Sequence, residues 1–149
     1  MGAATVLMAS GLPLPEQVVG IIADCPYTTP LAIIRKVSRD DMHLLPHTGG
    51  FFACAAARIF GHFRLNAASA VDAVRRTKVP ILLIHGEADY FVPCEMSREI
   101  HAANPEMIEL HTFQDAGHGL SYLADPERYE SLVNAFSDRV LASDSSSAE

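Results

Sequence analysis

The chain of 149 residues has little positive charge, few cysteines and no long hydrophobic run, and each shortage excludes a class of protein. Lysine and arginine number 11 against 18 aspartates and glutamates, and the resulting net charge of −7 argues against a nucleic-acid partner. No apolar run approaches the ~18 residues of a membrane span. The apolar segment 1–12 lacks the basic flank of a signal peptide. We therefore predict neither a membrane span nor nucleic-acid binding.

The three cysteines, Cys25, Cys54 and Cys94, are odd in number and irregularly spaced. They match neither a disulfide framework nor a metal-binding motif, so reduced thiols in the cytoplasm are the expectation. Hydrophobic residues make up 49% of the chain and charged residues 19%, which favours a packed core over disorder. Only the serine-rich tail, 142–149, is predicted to be disordered.

Three short segments, 18–23, 81–84 and 107–113, have the patterns of β-strands. The first two are apolar throughout, which is typical of strands buried on both faces of a parallel sheet. Helical patterns separate them and follow the third, where Asp125 and Pro126 mark the start of the last helix. The alternation predicts an α/β fold with parallel strands and flanking helices. Because three strands make a small sheet with an open edge at the first strand, we expect a partial fold.

Two loops carry the residue types of hydrolytic chemistry. Asp89 lies in the segment His-Gly-Glu-Ala-Asp-Tyr-Phe-Val-Pro that directly follows the second strand. His118 lies in Asp-Ala-Gly-His-Gly, which follows the third strand. One helix and one strand separate the two residues, which returns the chain to the same edge of the sheet, so we expect them to meet. An aspartate that accepts the second N–H of an imidazole fixes its tautomer and stabilises the imidazolium during catalysis.

With these loops the chain resembles the α/β-hydrolase family of serine esterases, lipases and peptidases. It is most similar to bacterial cytoplasmic hydrolases related to the serine aminopeptidase and prolyl-oligopeptidase branches. The family's residues follow the order Ser, then Asp or Glu, then His. The resemblance implies that Asp89 is the acid, that His118 is the base, and that residues 1–141 form the C-terminal portion of a hydrolase domain.

The first residues, Met-Gly-Ala-Ala-Thr, match the end of the family's elbow Gly-x-Ser-Met-Gly-Ala-Ala-Thr. The resemblance thus places Met1 directly after the nucleophilic serine, at the position whose backbone N–H is one oxyanion donor. The serine and the N-terminal half of the sheet are not in the sequence. We expect an internal start codon or a true truncation, and a chain that is inactive alone.

The implied reaction is ester or amide hydrolysis by acyl transfer to water, with a small-molecule substrate and no cofactor. Tyr27 and Phe91 are weaker candidates for contacts with the substrate. The apolar segment 31–65 lies between two core strands, where this family inserts caps; it is either an acyl-binding cap or helices packed onto the sheet. The open edge of the first strand is expected to promote self-association.

Several alternatives stay open at this point. Asp24 also follows a strand and could be the acid. Cys25 could be the nucleophile of a thiol hydrolase, or the chain could be a non-catalytic fragment retained for interactions. His85 is expected to pack or hydrogen-bond at the end of its strand, and a metal site built from His85, Asp89 and His118 is not favoured.

Overall fold

The computed structural model of the chain describes residues 1–40 and 48–147. These residues form a three-stranded parallel sheet in the order β1-β2-β3, with β1 at Ile21–Asp24, β2 at Ile81–Gly86 and β3 at Ile108–Phe113. Ile81 of β2 lies opposite Ile21 on one side and Ile108 on the other. The predicted α/β fold with parallel strands is therefore confirmed.

The central strand β2 is buried along its whole length, which explains its unbroken apolar sequence. Because side chains alternate across a strand, Ile81 and Leu83 face one core and Leu82 and Ile84 face another. The first core contains residues of α1, α4 and α5, and the second contains Phe136 of α7. Helices thus cover both faces of the sheet.

The helices alternate with the strands as the sequence predicts. They are α1 Gly2–Ala9, α2 Pro30–Asp40, α3 Thr48–Ile59, α4 Ala70–Val74, α5 Cys94–Ala103, α6 Ser121–Ala124 and α7 Pro126–Ser147, with a 3₁₀ turn at Leu65–Ala67. Among the described residues, no helix combines the length and the apolar character needed to cross a bilayer.

Two element boundaries differ from the sequence prediction. The strand predicted over 18–23 begins only at Ile21, because the residues before it form a turn in which Val18 N–H donates to the Pro15 carbonyl. The first hydrogen bond toward the neighbouring strand runs from Ile21 N–H to the Pro80 carbonyl. Helix α7 continues into the segment for which disorder is predicted, and the Ser143 hydroxyl donates to the Arg139 carbonyl there.

The segment 31–65 contains α2 and α3, which pack against each other, while its residues 41–47 lie outside the described part of the chain. The phenylalanines of α3 point outward rather than into a core, and Phe51 and Phe52 meet edge to face with ring centroids 5.7 Å apart. Helix α2 is joined to the loop after β2 by a hydrogen bond from the Lys36 ammonium to the Tyr90 carbonyl.

Candidate active site

The loops that follow β2 and β3 are in direct backbone contact. Glu87 N–H donates to the Phe113 carbonyl over 2.8 Å, and Ala88 N–H donates to the Ala116 carbonyl over 3.1 Å. At Gly86 a Cβ atom would lie 2.1 Å from the Ala116 carbonyl oxygen, far inside contact distance. Glycine is therefore required here, because its missing side chain allows the two loops to approach closely enough to share a site.

This approach brings Asp89 and His118 together, as the sequence predicts. The Nδ1 atom of His118 lies 2.7 Å from Oδ2 of Asp89, a short charge-assisted hydrogen bond. The Asp89 side chain is fully buried, whereas that of His118 is 42% exposed. The second ring nitrogen of His118, Nε2, has no hydrogen-bond partner among the described residues. The Asp89 carboxylate therefore orients the His118 ring through Nδ1 and leaves Nε2 available for another hydrogen bond.

The other oxygen of Asp89 is held by the backbone. Oδ1 accepts hydrogen bonds from Phe91 N–H at 2.9 Å and Val92 N–H at 2.8 Å. Burial tends to raise the pKa of the Asp89 carboxyl, but the bonds from Val92, His118 and Phe91 outweigh it and hold the pKa below its usual value. The carboxylate thus stays ionised and can stabilise a positive charge on His118.

His85 lies behind Asp89, with a completely buried ring. Its Nε2 lies 2.9 Å from the Val92 carbonyl oxygen and 3.3 Å from Oδ2 of Asp89. Its Nδ1 lies 2.6 Å from the Ser97 hydroxyl. The expectation that His85 hydrogen-bonds at the end of its strand is confirmed, and its direct approach to Asp89 was not foreseen.

Asp24, the competing acid, is engaged elsewhere. Its Oδ1 accepts a hydrogen bond from the Cys25 thiol at 3.1 Å, and its Oδ2 accepts one from the Tyr129 hydroxyl at 3.4 Å. No hydrogen bond or ion pair joins Asp24 to His118 in the described chain. The geometry therefore favours Asp89 as the partner of the imidazole.

Cys25 does not have the properties of a thiol nucleophile. Its thiol is buried, and burial, assisted by the neighbouring Asp24 carboxylate, raises its pKa to about 12. A reactive cysteine needs the opposite environment, one that stabilises the thiolate. Nothing in the described geometry favours the thiol-hydrolase alternative.

A cleft of about 340 Å³ opens beside His118. Tyr27 and Phe91, the two weaker sequence candidates, both line it, and the Phe91 ring meets the His118 ring edge to face with centroids 5.2 Å apart. Met1 lines it too, and its sulfur accepts a hydrogen bond from the Tyr27 hydroxyl at 3.5 Å. The remaining lining residues are Cys25, Ile33, Ile34, Val37, Ser38 and Val92.

The sequence left open whether segment 31–65 is an acyl-binding cap or helices packed onto the sheet, and it did not single out the α2 residues that line this cleft. Ile33, Ile34 and Val37 recur with helical spacing and so define one apolar face of α2. That pattern was visible, but it does not say whether the face packs on the sheet or lines a cleft. A larger groove of about 560 Å³ lies near the amino ends of the strands, between residues 10–18 and 76–79, and contains neither Asp89 nor His118.

The only cluster of possible metal ligands within the described ranges combines Cys25, His85 and Asp89, whose ligand atoms lie within 4.8 Å of one another. Those atoms already serve protein hydrogen bonds. His85 Nε2 faces the Val92 carbonyl, and Asp89 Oδ2 accepts from His118. Because a metal would have to displace both, the donor set does not fit a metal site.

The fold resembles that of α/β hydrolases. The structure is similar to that of the Pyrococcus furiosus esterase Pf2001, with a TM-score of 0.64 and 21% identity over 92% of this chain and 49% of that one. It is also similar to Pyrococcus horikoshii acylaminoacyl peptidase, with a TM-score of 0.63 and 18% identity over 91% of this chain and 22% of that one. The fold of this chain is thus a partial α/β-hydrolase fold.

The profile of the prolyl oligopeptidase family matches residues 51–144, more than half of the chain. The chain belongs to the prolyl oligopeptidase family. It is also 22% identical to the Bacillus subtilis protein YqkD, described as uncharacterized, over 145 residues that make up 94% of this chain and 46% of that protein. The chain therefore spans about half the length of this relative and of the Pf2001 esterase.

Proposed function

We propose that Asp89 and His118 are the acid and the base of a serine hydrolase that cleaves ester or amide bonds. The observation that carries the proposal is the 2.7 Å contact between His118 Nδ1 and Asp89 Oδ2, with the other imidazole nitrogen beside a cleft and without a hydrogen-bond partner in the described part of the chain. This is the arrangement in which a histidine accepts a proton from a nucleophilic hydroxyl. Membership of a hydrolase family supports the same chemistry.

In the proposed mechanism a serine hydroxyl attacks the carbonyl carbon of the substrate and transfers its proton to Nε2 of His118. The imidazolium is stabilised by Asp89, whose carboxylate stays ionised, and then gives the proton to the leaving alcohol or amine. Water attacks the resulting acyl-enzyme with the help of the same nitrogen, which regenerates the serine. No cofactor takes part in these steps.

We propose further that this serine directly precedes the position of Met1 in the whole protein and that the 149-residue chain alone is inactive. Two features support this position. Met1 lines the same cleft as His118, and it is the N-cap of α1. In this fold the nucleophile lies on the turn into a helix, followed by the residue whose backbone N–H helps to bind the oxyanion. Met1 occupies that second position.

The cleft supports a substrate with an apolar group next to the scissile carbonyl, since apolar side chains, among them Ile33, Ile34, Val37 and Phe91, line it. The names of the similar proteins, an esterase and an acylaminoacyl peptidase, agree with an ester or amide as the bond that is cleaved. We place the protein in the cytoplasm, because its three cysteines are free thiols.

The test begins with the DNA that precedes the Met1 codon, which should encode Gly-x-Ser in the same frame. The protein that includes this segment should react with a fluorophosphonate probe and hydrolyse p-nitrophenyl esters, whereas the 149-residue chain should do neither. His118→Ala and Asp89→Asn should each lower kcat of the longer protein by about four orders of magnitude.

Asp24→Asn is the matched control, because Asp24 also follows a strand but contacts Cys25 and Tyr129 instead of His118. It should keep most of the activity. An in-frame stop codon before Met1, or a longer protein whose activity survives His118→Ala, would contradict the proposal and favour a non-catalytic fragment. Activity lost with Asp24→Asn but kept with Asp89→Asn would show that the wrong acid was assigned.

A further inference from the structure

Asp89 is approached by two histidines, and the proposed mechanism uses only one of them. The ring of His85 is completely buried, and both of its nitrogens have partners. Oδ2 of Asp89 lies 2.7 Å from His118 Nδ1 and 3.3 Å from His85 Nε2. The same carboxylate oxygen is therefore in contact with two imidazole rings, that of His118 on the side of the cleft and that of His85 on the side of the core.

The partners of His85 fix which of its nitrogens carries hydrogen. Nε2 faces the Val92 carbonyl and the Asp89 carboxylate, and both groups only accept hydrogen bonds. Nε2 must therefore be a donor. Nδ1 lies 2.6 Å from the Ser97 hydroxyl, which can rotate to donate to it. Ser97, which is fully buried on α5, is thus compatible with the Nε2–H tautomer of His85 and provides a partner for its Nδ1.

These contacts form a cage of N–H groups around the Asp89 carboxylate, three of them hydrogen-bonded to it and that of His85 in close contact. Oδ1 accepts from the N–H groups of Phe91 and Val92, and Oδ2 lies near the nitrogens of His118 and His85. His85 also binds the carbonyl of Val92, whose own N–H holds Oδ1. Rotation of the carboxylate would break bonds on both oxygens, so the cage keeps Oδ2 directed at His118.

We propose that His85 is a positioning residue for the Asp89–His118 pair: its Nε2–H, oriented by Ser97, holds the Asp89 carboxylate and the Val92 turn in the geometry that His118 requires. His85 does not touch the substrate and exchanges no proton with it. The inference rests on the proposed function for its importance to catalysis, but the hydrogen bonds that it describes are present without the serine.

Two substitutions of His85 distinguish a role in positioning Asp89 from a role in filling buried volume. His85→Gln keeps an N–H donor on a shorter side chain, whereas His85→Phe fills the volume with an apolar ring that cannot donate. The measurement is the ¹H resonance of His118 Nδ1–H in the ¹⁵N-histidine-labelled 149-residue chain, together with its rate of exchange with water. We expect His85→Gln to keep this resonance and His85→Phe to lose it or to speed its exchange at least about tenfold, the factor that matches ~1.4 kcal/mol.

If His85 only fills buried volume, His85→Phe should preserve the His118 Nδ1–H signal better than His85→Gln, because Phe fills the buried site better than Gln. If His85→Phe retains the His118 Nδ1–H signal with the exchange rate of the unsubstituted chain, the proposal is overturned. His101→Phe, a change in a histidine at the far end of α5, is the matched control and should leave the signal unchanged.

A further measurement does not depend on whether His85→Phe folds. The ¹⁵N shifts of His85 should identify Nε2 as the protonated nitrogen in the unsubstituted chain and also in Ser97→Ala, because the Val92 carbonyl and the Asp89 carboxylate that face Nε2 only accept hydrogen bonds. A ring protonated at Nδ1 alone would overturn the proposal. Both readouts are independent of hydrolysis: an intact cage in a protein without esterase activity would count against the proposed function and not against the role of His85.

Discussion

The sulfur of Cys25, at the end of β1, accepts a hydrogen bond from the backbone N–H of Gly119 at 3.3 Å, across 94 residues of sequence. Cys25 has a positive φ of 53° and Gly119 one of 67°, so both residues adopt the left-handed conformation at this contact. The thiol also donates to Asp24. The bond connects the first strand to the residue that follows His118, and it engages Cys25 as a thiol and not as a thiolate.

The chemical reactivity of the cysteines should follow from this environment. With a pKa of about 12, Cys25 is ionised in less than about one molecule in 10⁴ at neutral pH. We expect a thiol reagent such as DTNB to modify Cys54, which is half-buried, well before Cys25, and to reach Cys25 only on unfolding. The measurement is peptide mapping of the modified chain against time, with Cys54→Ser as the control. Early labelling of Cys25 would contradict the structure and revive the thiol-hydrolase alternative.

The close approach of the loops that follow β2 and β3 should make Gly86 intolerant of any side chain. In Gly86→Ala the added Cβ would meet the backbone of Ala116 and separate the loops, since a carbonyl 2.1 Å away cannot be avoided by a rotamer change. We expect a loss of about 3 kcal/mol in the free energy of unfolding, measured by urea denaturation. Gly2→Ala is the matched control, because nothing lies within 4 Å of its Cβ position. Equal stability of the two variants would refute this account of the loop contact.

The ionised form of Asp89 should stabilise the fold in a pH-dependent way. Hydrogen bonds hold the pKa of Asp89 below its value in the unfolded chain, about 3.9. The resulting stabilisation is present above about pH 4 and is lost as the pH falls through the folded-state pKa. We expect the stability difference between the unsubstituted chain and Asp89→Asn to shrink between pH 6 and pH 3 in urea titrations. A difference that stays constant over this range would mean that Asp89 is not held as a carboxylate.

The outer side of β1 should promote self-association. β1 pairs only with β2 in the described sheet, and Ile22 is 39% exposed. An unpaired strand edge next to apolar surface is a template for association, so we expect dimers or larger species in sedimentation velocity. Ile22→Lys should shift the distribution toward monomer. Val6→Lys, which changes a residue of α1 with a similar exposure of 40%, is the control and should not. A monodisperse monomer of the unsubstituted chain would rule out this prediction.

Much of the site could be predicted from the sequence because its elements are encoded locally. An apolar run such as 81–84 forms a strand wherever a sheet can bury it, and the loops after it are marked by glycine and proline. Parallel strands bring their carboxyl ends to one edge of the sheet, so the loops of Asp89 and His118 had to be neighbours. The resemblance of these loops to a known family added the roles, which geometry alone does not assign.

The choice of partners was decided only by the tertiary structure. Asp24 and Asp89 both follow buried strands, and the sequence favoured Asp89 through its loop pattern and the family resemblance but left Asp24 open as the acid. Asp89 contacts His118 because Gly86 allows its loop to pack against Ala116. Asp24 instead accepts hydrogen bonds from Cys25 and Tyr129. Which side chains meet depends on strand register, loop contacts and packing between distant segments. These determine distances to within an ångström or so, and a sequence pattern does not specify distances.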